Sequence, residues 1–290
     1  MLKAFLKVLI SITKLLRLDK PAGTLLLFFP CAFAIIIFSQ NLHDLLYYLA
    51  LFLLGSIIMR SSGCIINDIL DRDLDAKVAR TKNRPLVTKE VSIKTALAIL
   101  LLLLLMGLFM LLRLSLLAIQ IGLLSLILVV CYPLIKRFSN FPQVFLGLTF
   151  NIGALIATAE IKNAIPLEGI ILYIGCAFWT IGYDSVYGFM DIDDDKKIGV
   201  KSLPRYLEKA NFKIWLSIFY IIFIACLLIS CIIATSNPAS YLLLVMLYIL
   251  LQNVKILDYT RLKHCMKHFN SSVLSGSGIF ALLIIMKLSS

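Results

Sequence analysis

Asn67-Asp68-Ile69-Leu70-Asp71-Arg72-Asp73-Leu74-Asp75 places four carboxylates where a very apolar segment ends. About 120 residues later Asp191-Ile192-Asp193-Asp194-Asp195 repeats its second half, and both copies read D-x-D-x-D-x-K, closing on Lys77 and Lys197. On a helix, Asn67, Asp71 and Asp75 at i, i+4 and i+8 share one face. Tyr187, Asp191 and Asp195 repeat that spacing, and Asp184 joins the face seven residues earlier. Two such faces at one membrane edge form a strongly anionic pocket. Unpaired carboxylates repel one another and hold their protons more tightly, and a hard cation relieves this. Mg²⁺ suits the task, because it takes a few carboxylates and bridges to phosphate oxygens. Arg80, Lys82 and Arg84 follow the first cluster, and Lys196, Lys197 and Lys201 flank the second. Acids beside cations make chemical sense when a polyanion joins them, as a metal-bound diphosphate does.

Two other readings of these runs fit them less well. A solvated acidic loop accounts for most charge runs, but neither the helical spacing nor the duplication. A calcium loop opens with D-x-D-x-D but needs Gly sixth and Glu twelfth. Ala76 and Lys82 hold those places in the first copy, and Lys196 and Ser202 in the second.

The rest of the chain must position these clusters, and its composition says how. Hydrophobic residues make up 61% of 290, and mean hydropathy is +0.97. The apolar residues fall in runs able to cross a bilayer, each of roughly 20 residues. The sequence therefore predicts an all-α polytopic membrane protein, one domain over 1–290, with nine transmembrane helices around a central cavity and two weakly repeated halves. The expected segments are Ala22–Phe38, Leu45–Asn67, Thr95–Leu112, Leu114–Tyr132, Phe141–Ala159, Gly169–Met190, Ile214–Thr235, Ala239–Val254 and Ser271–Met286. Before them, residues 1–20 carry apolar and lysine faces and read as an amphipathic helix on the membrane surface. Their basic residues interrupt any signal-peptide core.

The net charge of +12 reflects Lys and Arg gathered in alternate loops. By the positive-inside rule these loops, both acidic clusters and the N-terminus face the cytoplasm. That distribution explains the charge without a nucleic-acid partner, and no obligate protein partner is evident. The seven cysteines include no C-x-x-C pair and read as reduced packing residues. His264 and His268 have helical zinc spacing but no evident third ligand, Trp179 and Trp215 fit interfacial anchoring, and Gly276-Ser277-Gly278 fits close helix approach.

The run Met59-Arg60-x-x-Gly63-Cys64-x-x-Asn67-Asp68-x-x-Asp71-x-x-x-Asp75, followed by Arg80-Thr81-x-Asn83-Arg84-Pro85-Leu86, resembles the first motif of the UbiA superfamily of intramembrane prenyltransferases. Gly182-Tyr183-Asp184-x-x-Tyr187-x-x-x-Asp191-x-x-Asp194-Asp195-x-Lys197-Ile198-Gly199-Val200-Lys201-Ser202 is similar to its second motif, and Tyr132-Pro133-x-x-Lys136-Arg137 to a third element. The M-R-x-x-G-C and D-D-x-K-I-G-V-K-S stretches are most similar to the branch that prenylates 4-hydroxybenzoate in the ubiquinone pathway. Gly188 departs from that pattern, standing where Ala is expected.

The resemblance implies a Mg²⁺-dependent enzyme of an inner membrane, joining a polyprenyl diphosphate to the ring of 4-hydroxybenzoate within membrane lipid. It implies that Asp71, Asp75, Asp191 and Asp195 hold Mg²⁺ on the diphosphate. Asn67, Asp68 and Asp184 assist, while Arg80, Arg84, Lys136 and Lys201 steady its oxygens. Tyr132 or Tyr187 would offer an aromatic face to the allylic cation, and Arg60, a charge inside an apolar helix on nearly the same face as Asn67, is expected from its position to receive the acceptor carboxylate. Two alternatives stay open: a relative using a naphthoate, a homogentisate or a haem precursor, and a secondary transporter. Transporter sites lie near the midplane on interrupted helices, whereas these acids lie at the membrane edge.

Overall fold

The structure, a computed structural model, describes residues 2–78, 81–139, 141–193, 197, 201–208 and 210–289, with backbone alone for 2–5, 7 and 132–138. Arg80, Asp195 and Lys196 lie outside the described residues, and the side chains of Tyr132 and Lys136 do too.

Every described element is helical. Helix α1 (Leu2–Leu15) is followed by α2 (Ala22–Phe38), α3 (Leu42–Leu70) and the single turn α4 (Arg72–Asp75). Next come α5 (Ile93–Leu111), α6 (Leu116–Phe138), α7 (Pro142–Phe150), α8 (Ile152–Lys162) and α9 (Leu167–Gly188). Beyond a 3-10 turn at Phe189–Asp191 lie the helices Leu203–Leu207, Phe212–Thr235, Leu243–Ile256 and Leu262–Leu288. Seven spans are long and apolar enough to cross a membrane, counting Pro142–Lys162 as one and Pro238–Ile256 as another. Two apolar helices, Ala22–Phe38 and Leu116–Cys131, are shorter. Each of the nine expected segments lands on one of these, so a count of nine crossings depends on the two shorter helices. Between α5 and α6 a turn at Leu112–Arg113 ends one helix and Ser115 precedes the next.

Outward faces show why the solvent must be lipid. On α5, Leu97, Leu101, Leu105 and Phe109 recur every fourth residue and are 49–60% exposed. A stripe that large and apolar is stable only against acyl chains.

The chain forms two compact units, one of Met1–Leu25 with Leu51–Arg113, the other of Leu26–Ala50 with Leu114–Ser290. The first has a small core of Leu15, Ile65, Leu86, Val91 and Ala96, which binds α1, α3, the loop after α4 and α5 into one body. In the second, α9 is the central helix. Its Trp179 stacks on Phe223 with ring centroids 5.0 Å apart and planes 7° apart, and it also meets Phe29, Phe33 and Tyr183.

Trp179 is therefore not the interfacial anchor expected from sequence. It is fully buried, while Trp215 is 44% exposed. Gly276 makes that packing possible: a Cβ there would run into the Phe29 ring and lie 2.8 Å from the Trp179 indole. The expected close approach at this glycine is thus realised, with aromatic rings as the neighbours.

Candidate functional site

The first acidic cluster forms where α3 stops. Asp71 leaves helical geometry, with φ −98° and ψ 7°, and opens α4. Its amide still donates to the Asn67 carbonyl at 2.9 Å, and its own carbonyl accepts from the Asp75 amide at 2.8 Å. The i, i+4, i+8 register of Asn67, Asp71 and Asp75 therefore survives the break in the helix. An aspartate at such a position usually accepts from the amides of the next turn. Here the Asp71 side chain makes no capping bond, so its oxygens are not committed to the backbone.

The remaining carboxylates of the run separate by role. Asp73 points outward and pairs with Arg72 at 3.2 Å. Asp68 and Asp75 are buried and share Arg84, whose Nη1 lies 3.0 Å from Asp68 Oδ1 and 2.5 Å from Asp75 Oδ2. Burial pushes the Asp75 carboxyl above the ordinary aspartate range, against the opposing pull of Arg84. Thr81 ties the loop back by donating its hydroxyl to the Asp75 carbonyl at 3.0 Å. Pro85 and Leu86 are buried beneath the loop, and Val91 donates its amide to the Pro85 carbonyl at 3.2 Å. The T-x-N-R-P-L stretch from Thr81 thus folds into a turn that carries Arg84 to the acids.

Arg60 lies deeper on α3, against the chain at Gly23 near the start of α2. A Cβ built on Gly23 would sit 2.7 Å from both Nε and Nη2 of Arg60 and 2.9 Å from Cζ. Gly23 therefore lies close against the Nε and Nη2 side of the group.

The second cluster sits where α9 ends. Asp184, Tyr187 and Asp191 are each half-buried. The helix tightens to 3-10 geometry at Phe189–Asp191, so Asp191 does not simply continue the α-helical face expected from spacing. The Tyr187 ring lies 4.7 Å from that of Phe269, centroid to centroid. Gly188 allows close approach of the following short helix: a Cβ would lie 2.8 Å from Pro204 Cγ. Gln143 fixes the same segment by accepting from the Leu203 amide at 2.9 Å, which leaves Lys201 exposed just ahead of it.

Two residues with clear positions were not anticipated. Arg17 binds Asp68 from 51 residues away, and Gln143 fixes the Lys201 segment; neither lies within a charged motif. His264 and His268 do not converge as zinc ligands. His268 is buried with its Nε2 2.9 Å from the Tyr220 hydroxyl, and among the described residues no group of three His, Cys, Asp or Glu could hold a metal ion.

Residues 27–282 match the model of the UbiA prenyltransferase family. A 4-hydroxybenzoate octaprenyltransferase of Shewanella frigidimarina is 39% identical over 221 residues, 76% of this chain and 77% of that protein. The Shewanella oneidensis protein of the same name is 40% identical over 202 residues, 70% of each chain. Among solved structures, the apo UbiA homolog of Aeropyrum pernix K1 is similar in fold, with TM-score 0.73 at 22% identity over 91% of this chain and 97% of that one. A UbiA homolog of Archaeoglobus fulgidus bound to GPP and Mg²⁺ gives 0.66 at 17% identity, over 96% and 98%. With residues 27–282 matched and relatives about 40% identical over more than two thirds of both chains, this chain belongs to the UbiA prenyltransferase family.

Proposed function

We propose that this protein transfers a polyprenyl group from a polyprenyl diphosphate to the 3-position of 4-hydroxybenzoate, releasing diphosphate, as a step of ubiquinone biosynthesis. The observation that carries this reading is the similarity to 4-hydroxybenzoate octaprenyltransferases over about three quarters of both chains. Residues 1–290 act as one catalytic domain in a bacterial or organellar inner membrane, with both acidic loops and the N-terminus on the cytoplasmic side. Support for that orientation comes from the alternating Lys and Arg content of the loops.

Mg²⁺ fits the oxygen donors that the chain offers, since the Asp71 carboxylate is not spent on a helix cap and hard cations choose such ligands. Bound to the diphosphate, the metal neutralises charge on the leaving group as the allylic C–O bond breaks. Asp71 and Asp75 from one cluster and Asp191 and Asp195 from the other hold that assembly, with Asn67 and Asp184 beside them. Arg80, Arg84, Lys136 and Lys201 hydrogen-bond the remaining phosphate oxygens, a preorganised positive lining that strengthens as charge develops. Tyr132 or Tyr187 presents a ring face to the allylic carbon as it becomes cationic. Arg60 holds the acceptor carboxylate with two parallel hydrogen bonds. The carbon beside the phenol oxygen then attacks, forming the new C–C bond, and the ring loses a proton to regain aromaticity.

The test is incubation of membranes containing the protein with Mg²⁺, labelled polyprenyl diphosphate and a panel of aromatic acids. A 3-polyprenyl-4-hydroxybenzoate product with released diphosphate is expected. Prenylation of a naphthoate or homogentisate in its place would move the protein to another branch of the family.

A further inference from the structure

The N-terminal helix reaches into the acidic site through one side chain. Arg17 lies two residues past α1, in left-handed backbone geometry with φ 57° that ends the helix. Its Nη1 donates to the Lys14 carbonyl at 2.7 Å. Its Nη2 donates to both oxygens of Asp68, at 2.8 and 2.9 Å. Asp68 is 1% exposed and also meets Arg84, which in turn holds Asp75. The four side chains form an alternating series, Arg17, Asp68, Arg84, Asp75, in which each interior member serves two partners. The surrounding packing fixes its first member. Leu15 is fully buried beside Ile65 and Leu86, Ser61 donates its hydroxyl to the Leu16 carbonyl at 3.1 Å, and Ser11 donates to Glu90 at 2.7 Å.

A buried carboxylate needs full compensation. With Arg17 present, Asp68 is satisfied and Arg84 can be shared with Asp75. Without it, Asp68 would lose the contact that fixes its carboxylate, and Arg84 would lose its anchor beside Asp75. We propose that Arg17 is a positioning residue for the diphosphate-binding turn: through Asp68 it sets where the Arg84 guanidinium stands. This ties the N-terminal helix to the diphosphate site and rests on the reading that Arg84 and Asp75 serve the metal diphosphate.

The test compares Arg17→Ala, Arg17→Lys, Asp68→Asn, Arg84→Ala and the Arg17→Ala/Arg84→Ala double variant, all as full-length protein in membranes. Arg17→Ala is expected to raise the KM for polyprenyl diphosphate, and the Mg²⁺ concentration giving half-maximal rate, by about tenfold, as loss of a partner that orients metal ligands does. The KM for the aromatic acid stays unchanged. Arg17→Lys recovers part of the loss, Asp68→Asn reproduces it, and adding Arg17→Ala to Arg84→Ala causes little further change because both act through one group. Equal rises in both KM values, or fully additive effects in the double variant, would overturn the proposal. So would an impaired Arg84→Ala beside an unimpaired Arg17→Ala. Should Arg84→Ala itself bind diphosphate normally, the underlying reading of Arg84 fails and takes this proposal with it. If Arg17→Ala does not insert, Arg17→Lys and Asp68→Asn decide by the same selective rise in diphosphate KM or its absence.

Discussion

Gly23 packs against the Nε and Nη2 side of the Arg60 guanidinium, so closely that a Cβ there would lie 2.7 Å from both nitrogens. A guanidinium makes its hydrogen bonds in its plane. The close approach of Gly23 therefore limits the orientations that the group can take. Gly23 is the residue type that permits this approach, because its neighbour is the end of a side chain rather than rigid backbone. Adding one methyl group should displace Arg60 and little else.

Arg60→Ala is accordingly expected to raise the KM for the aromatic acid about tenfold or more, the scale of hydrogen bonds to a charged group, with a much smaller change for the diphosphate. Arg60→Lys recovers only part, since an ammonium lacks the planar fork. Gly23→Ala gives a smaller rise of the same kind. Steady-state kinetics with each substrate varied in turn decide the matter; a selective defect toward diphosphate removes Arg60 from the acceptor site.

Asp71→Ala and Asp191→Ala should insert into the membrane and lose turnover by roughly a hundredfold or more, because each removes a ligand that stabilises the leaving diphosphate. Single-turnover assays on quantified protein provide the measurement, and near-normal turnover in either variant is incompatible with the metal assignment.

Asp75 separates stability from activity. Burial raises its carboxyl pKa in the folded protein above the unfolded value, so between these values the folded state holds more protons. Stability then falls as pH rises through that interval. Asp75→Asn, measured without Mg²⁺, should be at least as stable as the parent at pH 7, since Arg84 keeps Asp68 as a partner. The same variant should lose most of its activity. A marked drop in its Tm at pH 7 would show that the ionised pair is net stabilising.

The two tryptophans provide a packing test. Trp179→Ala empties a site enclosed by Phe29, Phe33, Tyr183 and Phe223 and should destabilise the protein by about 3 kcal/mol. Trp215→Ala removes a partly exposed ring and should change Tm little. Thermal unfolding in detergent compares them, and equal shifts would contradict the assignment of Trp179 to the core.

The sequence by itself determined that the chain is a helical membrane protein, because runs of about 20 apolar residues have no other stable fold in lipid. It also located both acidic turns. Their i, i+4 spacing is written along the chain, and for Asn67, Asp71 and Asp75 the backbone hydrogen bonds keep that spacing through the break after Leu70. What it did not determine was which residues face protein and which face lipid. In water, polarity marks the outer face of a helix; in a bilayer both faces are apolar, so Trp179 and Leu101 carry the same signal although one is buried and the other is 59% exposed. Nor did spacing reveal Arg17 on Asp68 or Gly23 on Arg60, for those pairs join separate stretches of chain. Only the packing of α1, the start of α2 and the acid-bearing α3 within one compact unit brings them together, and a lysine or arginine counted for topology gives no sign of which carboxylate it will meet.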